Sequence, residues 1–159
     1  MDTIQLTSIL ERAVAPPYKF LGVFARDKIP TVNSYPSCYI ANTGDSRSAG
    51  EHWVAIIHHS AHSIEFFDSY ALAPSDYGFT VHASFINTKP LQSFNSDVCG
   101  QYCIYFLFCR SRNLPLTLFI SSKCPDSKIS RFVHALFGDK YNTRSVCSCV
   151  QSCTSRCRC

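Results

Sequence analysis

Residues 52–68, His52-Trp53-Val54-Ala55-Ile56-Ile57-His58-His59-Ser60-Ala61-His62-Ser63-Ile64-Glu65-Phe66-Phe67-Asp68, read as two antiparallel strands and the turn that joins them. The apolar run from Trp53 to Ile57 is what a strand covered on both faces requires, and the polar run from His58 to His62 is the turn before Ser63–Asp68 returns. With the turn centred on Ser60, His52 stands directly across from Asp68. Opposed Cβ atoms lie about 4.5–5.5 Å apart in such a pair, close enough for a carboxylate to hold an imidazole nitrogen. Taken alone, the pair reads first as a structural contact at a sheet end.

Around this hairpin the chain alternates short strands with helices. Asp2 or Thr3 caps a first helix through about Val14, with Ile4, Ile9, Leu10 and Ala13 on its apolar side and Pro16-Pro17 as its stop. Phe20–Phe24 and Ser37–Ala41 read as strands, and Asn42–Gly50 as a loop. Residues 71–79 are irregular, and 80–87 fit either a strand or a helix. Gly100–Arg112 is a helix apolar on every side, so it belongs inside the core. Ile129, Phe132, Val133, Leu136 and Phe137 recur at helical spacing between Pro125-Asp126 and Gly138, marking a last amphipathic helix. The order predicts an α+β domain over residues 1–143, with a mostly antiparallel central sheet packed against helices. Residues 144–159 form a Cys/Arg-rich tail.

Composition supports a packed domain. Of 159 residues, 46% are hydrophobic and 16% charged, against about 25% charged in ordinary domains, which excludes disordered and coiled-coil chains. The longest apolar run, Tyr102–Cys109, is far short of the roughly 20 residues that span a bilayer, so no membrane partner is expected. The N-terminus carries no basic and apolar leader, so an intracellular monomer with reduced thiols is expected. Five of the ten cysteines fall at 147–159, where C-x-C and C-x3-C spacings suit a soft-metal cluster, a nucleic-acid arm or an oxidisable disordered tail. His58, His59 and His62 lack a fourth ligand, so no metal site is assigned. Charge is uneven: residues 1–88 carry net −3 and residues 89–159 net +7. A basic half is either a solubilising surface or a polyanion site, and Arg110, Arg112, Lys123, Lys128 and Arg131 are its candidate DNA contacts.

Cys99 adds a third chemical group to His52 and Asp68. It precedes the apolar helix, where free N–H groups and the dipole lower a thiol pKa and can receive an oxyanion. Gly100 leaves room there for a substrate backbone, and the Gln92 amide can donate a second hydrogen bond to the oxyanion. A cysteine before an apolar helix is more often a small buried hydrophobe. With His52 and Asp68 upstream, however, nucleophile, base and orienter are all present.

His52-Trp53, an acid sixteen residues later, Gln92 and Cys99-Gly100 occur in the order of the clan CE cysteine proteases. Together with Phe20-Leu21-Gly22-Val23-Phe24, Ile40-Ala41-Asn42-Thr43-Gly44 and the stretch to Cys103, the chain resembles the adenain-like group, the adenovirus maturation protease family, over roughly residues 4–112. Related proteases occur in Maverick/Polinton elements. The resemblance implies His52 as general base, Asp68 as orienter, Cys99 as nucleophile and Gln92 with the Gly100 backbone in the oxyanion region. Trp53 is assigned to substrate binding. It further implies cleavage of viral capsid and core precursors after glycine-containing motifs, in virions and the host nucleus. No cofactor is needed for the chemistry; DNA or a viral peptide would serve as activator. The chain departs from the family in having Asp68 where the family has Glu, and in a shorter stretch from Asp68 to Gln92. It also has no cysteine between Cys38 and Cys99 for a covalently attached activator, the ungapped counterpart being about Val81. A clan CE protease of ubiquitin-like modifiers uses the same residues. A non-enzymatic Cys-rich metal or nucleic-acid binding protein is the alternative from another class.

Overall fold

The computed structural model describes residues 1–115 and 126–137. Lys123 as a DNA contact, Cys124 as a core thiol and the 144–159 tail lie outside these described residues. Three helices, α1 (Thr3–Ala13), α2 (Cys99–Arg110) and α3 (Asp126–Phe137), accompany five strands: β1 (Lys19–Ala25), β2 (Ser37–Asn42), β3 (Trp53–Ser60), β4 (Ser63–Phe67) and β5 (Phe85–Ile86). The strands lie side by side in chain order.

The sheet is mixed, which corrects the expectation of a mostly antiparallel one. Only β2–β3 and β3–β4 run antiparallel, while β1–β2 and β4–β5 are parallel. The reason lies in the connections. Residues 26–36 and 68–84 are long enough to return the chain to its starting end, whereas only Ala61-His62 is a tight reversal.

The alternation of side chains divides the core into two layers. Cys38, Ile40, Ala55, Ile57 and Phe67 face the helices and pack with Leu6, Leu10, Tyr102, Phe106 and Val133. Tyr39, Ala41, Val54, Ile56 and Phe66 face the other way, under Phe79 and the irregular segments that carry Ile29, Val32, Tyr77 and Val81. Both faces of β3 are therefore covered, as its continuous apolar run required. α2 is the central helix: Tyr102 to Cys109 are all buried, between the sheet and the other two helices.

α1 begins with a capping box. The Asp2 carboxylate accepts from the Gln5 amide at 2.8 Å, and the Gln5 side chain accepts from the Asp2 amide at 3.2 Å. Its buried residues are Leu6, Ile9, Leu10 and Ala13; of the expected apolar side only Ile4 is displaced, at 81% exposed, and Leu6 takes its place. The α3 stripe is as expected, with Ile129, Val133 and Leu136 buried.

The hairpin register differs from the one inferred. Ala55 pairs with Phe67 and Ile57 with Glu65, because β3 runs on through His58 and His59 and the chain reverses at Ala61-His62, beside an irregularity at His58–Ser60. The register is shifted by two residues. An even shift leaves every side chain on its original face, so His52 and Asp68 stay on one side of the sheet although they are not paired partners.

Phe106 stacks on Phe67 with centroids 4.4 Å apart and is 1% exposed. Phe106→Ala is expected to cost about 3–5 kcal/mol, read as a shift in urea midpoint, whereas Ile4→Ser should stay within about 0.5 kcal/mol of the parent.

Candidate active site

His52 precedes β3, Asp68 follows β4 and Cys99 opens α2, so three chain ends meet at one end of the sheet. His52 Nε2 lies 2.6 Å from Asp68 Oδ1. That contact leaves the other ring nitrogen, Nδ1, free of Asp68, and His52 is among the groups that lower the Cys99 thiol pKa. The ring stacks against Tyr70 (4.8 Å, 25°) and Tyr77 (5.8 Å, 30°), which restrict its rotation.

Asp68 is fully buried and accepts from every side: from the Tyr70 amide at 3.1 Å, the Leu72 amide at 2.9 Å and the Tyr77 hydroxyl at 2.9 Å. Asn87 holds its backbone, donating to the Asp68 carbonyl at 2.7 Å and accepting from its amide at 3.0 Å. Residues 68–72 curl round the carboxylate, and Ala71, at φ 61, takes the left-handed conformation that brings the Leu72 amide back to it.

The electrostatics follow from these contacts. Burial opposes the charge on His52, but its hydrogen bonds to Asp68 and Cys99 outweigh burial and raise its pKa to about 9. Burial likewise raises the Cys99 thiol and is overcome by the hydrogen bond to His52, the Trp53 and Gly100 amides and the imidazolium charge, so its pKa falls below the ordinary value. Burial would also raise Asp68; His52 and the Leu72 and Tyr70 amides lower it. Both shifts favour the thiolate–imidazolium form of the pair. The other core thiols go the opposite way: burial pushes Cys38 up to about 12 and raises Cys103, whose Sγ lies 3.3 Å from the Trp53 carbonyl oxygen it donates to.

Gln92 is buried beside the site, and its side chain is already engaged. Oε1 accepts from Ser69 Oγ at 2.7 Å, while Nε2 donates to the Tyr70 hydroxyl at 3.1 Å and to the Ser96 carbonyl. Trp53 lines the cleft and donates from Nε1 to the Met1 carbonyl at 3.1 Å. The room beside Gly100 is taken by the protein: an added Cβ would sit 3.2 Å from Leu6 Cδ2, 3.4 Å from Met1 Cβ and 3.5 Å from Trp53 Cδ1. Glycine at 100 therefore serves the close approach of α1, and its amide faces the thiolate.

Cys99, His52, Gln92, Trp53 and Tyr70 open onto one cleft of about 730 Å³. Sequence reasoning misses Tyr70, Tyr77, Ser69 and Asn87. Tyr70 and Tyr77 follow the acid closely in sequence, but that segment has no periodicity to announce a role.

The basic candidates are scattered. Arg110 donates from Nε to Glu65 Oε1 at 2.9 Å, in a cluster with His59 and Tyr18. Arg112 lies over Phe108 at 3.8 Å and donates to the Ala13 carbonyl at 2.6 Å, closing the end of α1. Lys128 and Arg131 are exposed on α3.

No group of three or more metal-ligating side chains occurs among the described residues, and no helix among them is long and apolar enough to cross a membrane. No protein-family model matches the sequence, and no curated protein matches it.

Iodoacetamide should alkylate Cys99 well before Cys38 or Cys103 at pH 7.5, as read by peptide mass mapping over time. His52→Ala should move the pH dependence of Cys99 alkylation upward, because it removes the hydrogen bond and the positive charge that hold the thiol low. Equal labelling of the three cysteines would contradict the ion pair.

Proposed function

We propose that the chain is a cysteine endopeptidase with Cys99 as nucleophile, His52 as general acid and base, and Asp68 as the group that orients it. The observation that carries this reading is the 2.6 Å contact between His52 and Asp68, with His52 and Cys99 lining the same cleft. The Cys99 thiolate attacks a peptide carbonyl, and the carbonyl electrons pass to oxygen. The first amides of α2, which lack helix partners, receive that oxyanion. His52 gives its proton to the departing amine, leaving a thioester. Water, deprotonated by His52, then releases the acid and restores the thiolate.

Gln92 enters as second oxyanion donor by exchanging its bond to the Tyr70 hydroxyl for one to the oxyanion. The likeness to adenain-like proteases favours viral structural precursors as substrates, with cleavage after glycine-containing motifs. DNA, if it acts, would meet Lys128 and Arg131 rather than Arg110 and Arg112, which hold the domain together.

Cleavage of a fluorogenic peptide library tests the assignment. Cys99→Ala and His52→Ala should abolish turnover, and activity surviving in Cys99→Ala would refute it. Gln92→Ala should lower kcat by about 10²–10³. The ion pair is competent between the depressed Cys99 pKa and about 9, where His52 loses its proton. kcat/KM should therefore fall above about pH 9. Asp68→Asn removes a contact that raises the His52 pKa, so its alkaline limb should move to lower pH while a residual rate persists.

A further inference from the structure

Apart from His52, no cationic side chain lines the cleft. Asp2, Asp45, Glu51 and Asp97 contribute to its lining. Arg47 approaches Asp45 at 3.7 Å and offsets that carboxylate from outside the lining. Glu51 and Asp97 are exposed, and no ion pair among the described residues engages either one. Glu51 is next to the base, and Asp97 stands two residues before the nucleophile. The Asp97 charge also reaches Tyr70, on the wall of the cleft.

An independent feature favours the same kind of ligand. Phe94 is 84% exposed, the most exposed large apolar side chain among the described residues. One face of its ring lies parallel to Tyr70 (5.7 Å, 4°), and Tyr70 in turn lies on His52. The outer face of Phe94 is an aromatic platform three residues from the Asp97 carboxylate. A guanidinium is the side-chain group that both stacks on an aromatic face and pairs with a carboxylate.

We propose that the cleft selects cationic peptide segments: substrates with arginine, and more weakly lysine, within a few residues of the scissile bond. Asp97 and Glu51 supply the attraction and Phe94 the stacking surface. This inference rests on the proteolytic reading of the same site. A negative field in a walled cleft raises the local concentration of cations and their encounter rate, and salt screens it.

Two measurements separate the inference from that reading. In the first, peptides cleaved by the enzyme are compared in matched sets that differ only in arginine, citrulline or glutamate at each position near the cut. Arginine should exceed glutamate in kcat/KM by about tenfold or more at low salt at one or more positions, citrulline falling between. The ratio should shrink as salt rises and in Asp97→Asn, Glu51→Gln and Phe94→Ala. In the second, Cys99 is modified by a methanethiosulfonate bearing a trimethylammonium group and by one bearing a sulfonate, and free cysteine in solution is treated in the same way. Cys99 should favour the cationic reagent more strongly than free cysteine does, and less so at high salt and in Asp97→Asn. Wild-type protein alone supplies the salt series, so the result does not depend on any variant folding. The inference is overturned if arginine and glutamate peptides are cut alike or glutamate is preferred, and Cys99 discriminates between the reagents no more than free cysteine does; if peptides are still cut, the protease reading stands. Failure to cut any peptide while the cationic reagent remains favoured overturns the protease reading and retains a cleft for cationic molecules.

Discussion

The Asp68 carboxylate is the point on which the site is built. An ionised carboxylate with no exposure to water is costly unless its lone pairs are filled, and here two backbone amides, a tyrosine hydroxyl and the imidazole fill them. Meeting that requirement dictates the course of the chain after β4. Residues 68–72 must wrap the carboxylate, Ala71 must accept a left-handed backbone, and the turn at Pro74–Tyr77 must return a hydroxyl to it. The same segment presents Tyr70 and Tyr77 to the His52 ring, and Ser69 anchors Gln92. One buried charge thus organises base, aromatic walls and amide together.

How much of this is legible in the sequence depends on range. The residues proposed as the triad are identifiable because each announces itself locally: a histidine ahead of an apolar strand, an acid at the end of the return strand, a cysteine at the head of an apolar helix. The turn position is not, since His58 and His59 look like turn residues. They are held in β3 by contacts that the sequence does not display, His59 with Tyr18 and Glu65, His58 stacked on Tyr39. The assignment of faces survives because the resulting error is even. The parallel strands are not legible either, since strand direction is decided by where long connections pack, and residues 26–36 and 68–84 carry no period. Gly100 shows a different limit: its type signals a close approach, but not that the approaching body is α1.

The basic half of the chain shows why charge counts alone place few functions. Arg110 and Arg112 contribute to the net +7 of residues 89–159, yet the first is spent on the buried Glu65 and the second on the end of α1 and the Phe108 ring. Each is worth more to folding than to a distant polyanion, because removing Arg110 would leave the Glu65 carboxylate buried without its guanidinium. Glu51 and Asp97 behave differently, since both remain at the surface beside the cleft.

The hydrogen bond from Trp53 to the Met1 carbonyl, with Met1 packed beside Gly100, puts Met1 on the wall of the cleft that Cys99 also lines. A purification tag joined at Met1 would emerge next to the reactive thiol, crowding the helix cap at Asp2 and competing with added peptides, so its removal would change measured rates for reasons unrelated to chemistry. Assays comparing variants are cleanest when no foreign segment is joined ahead of Met1.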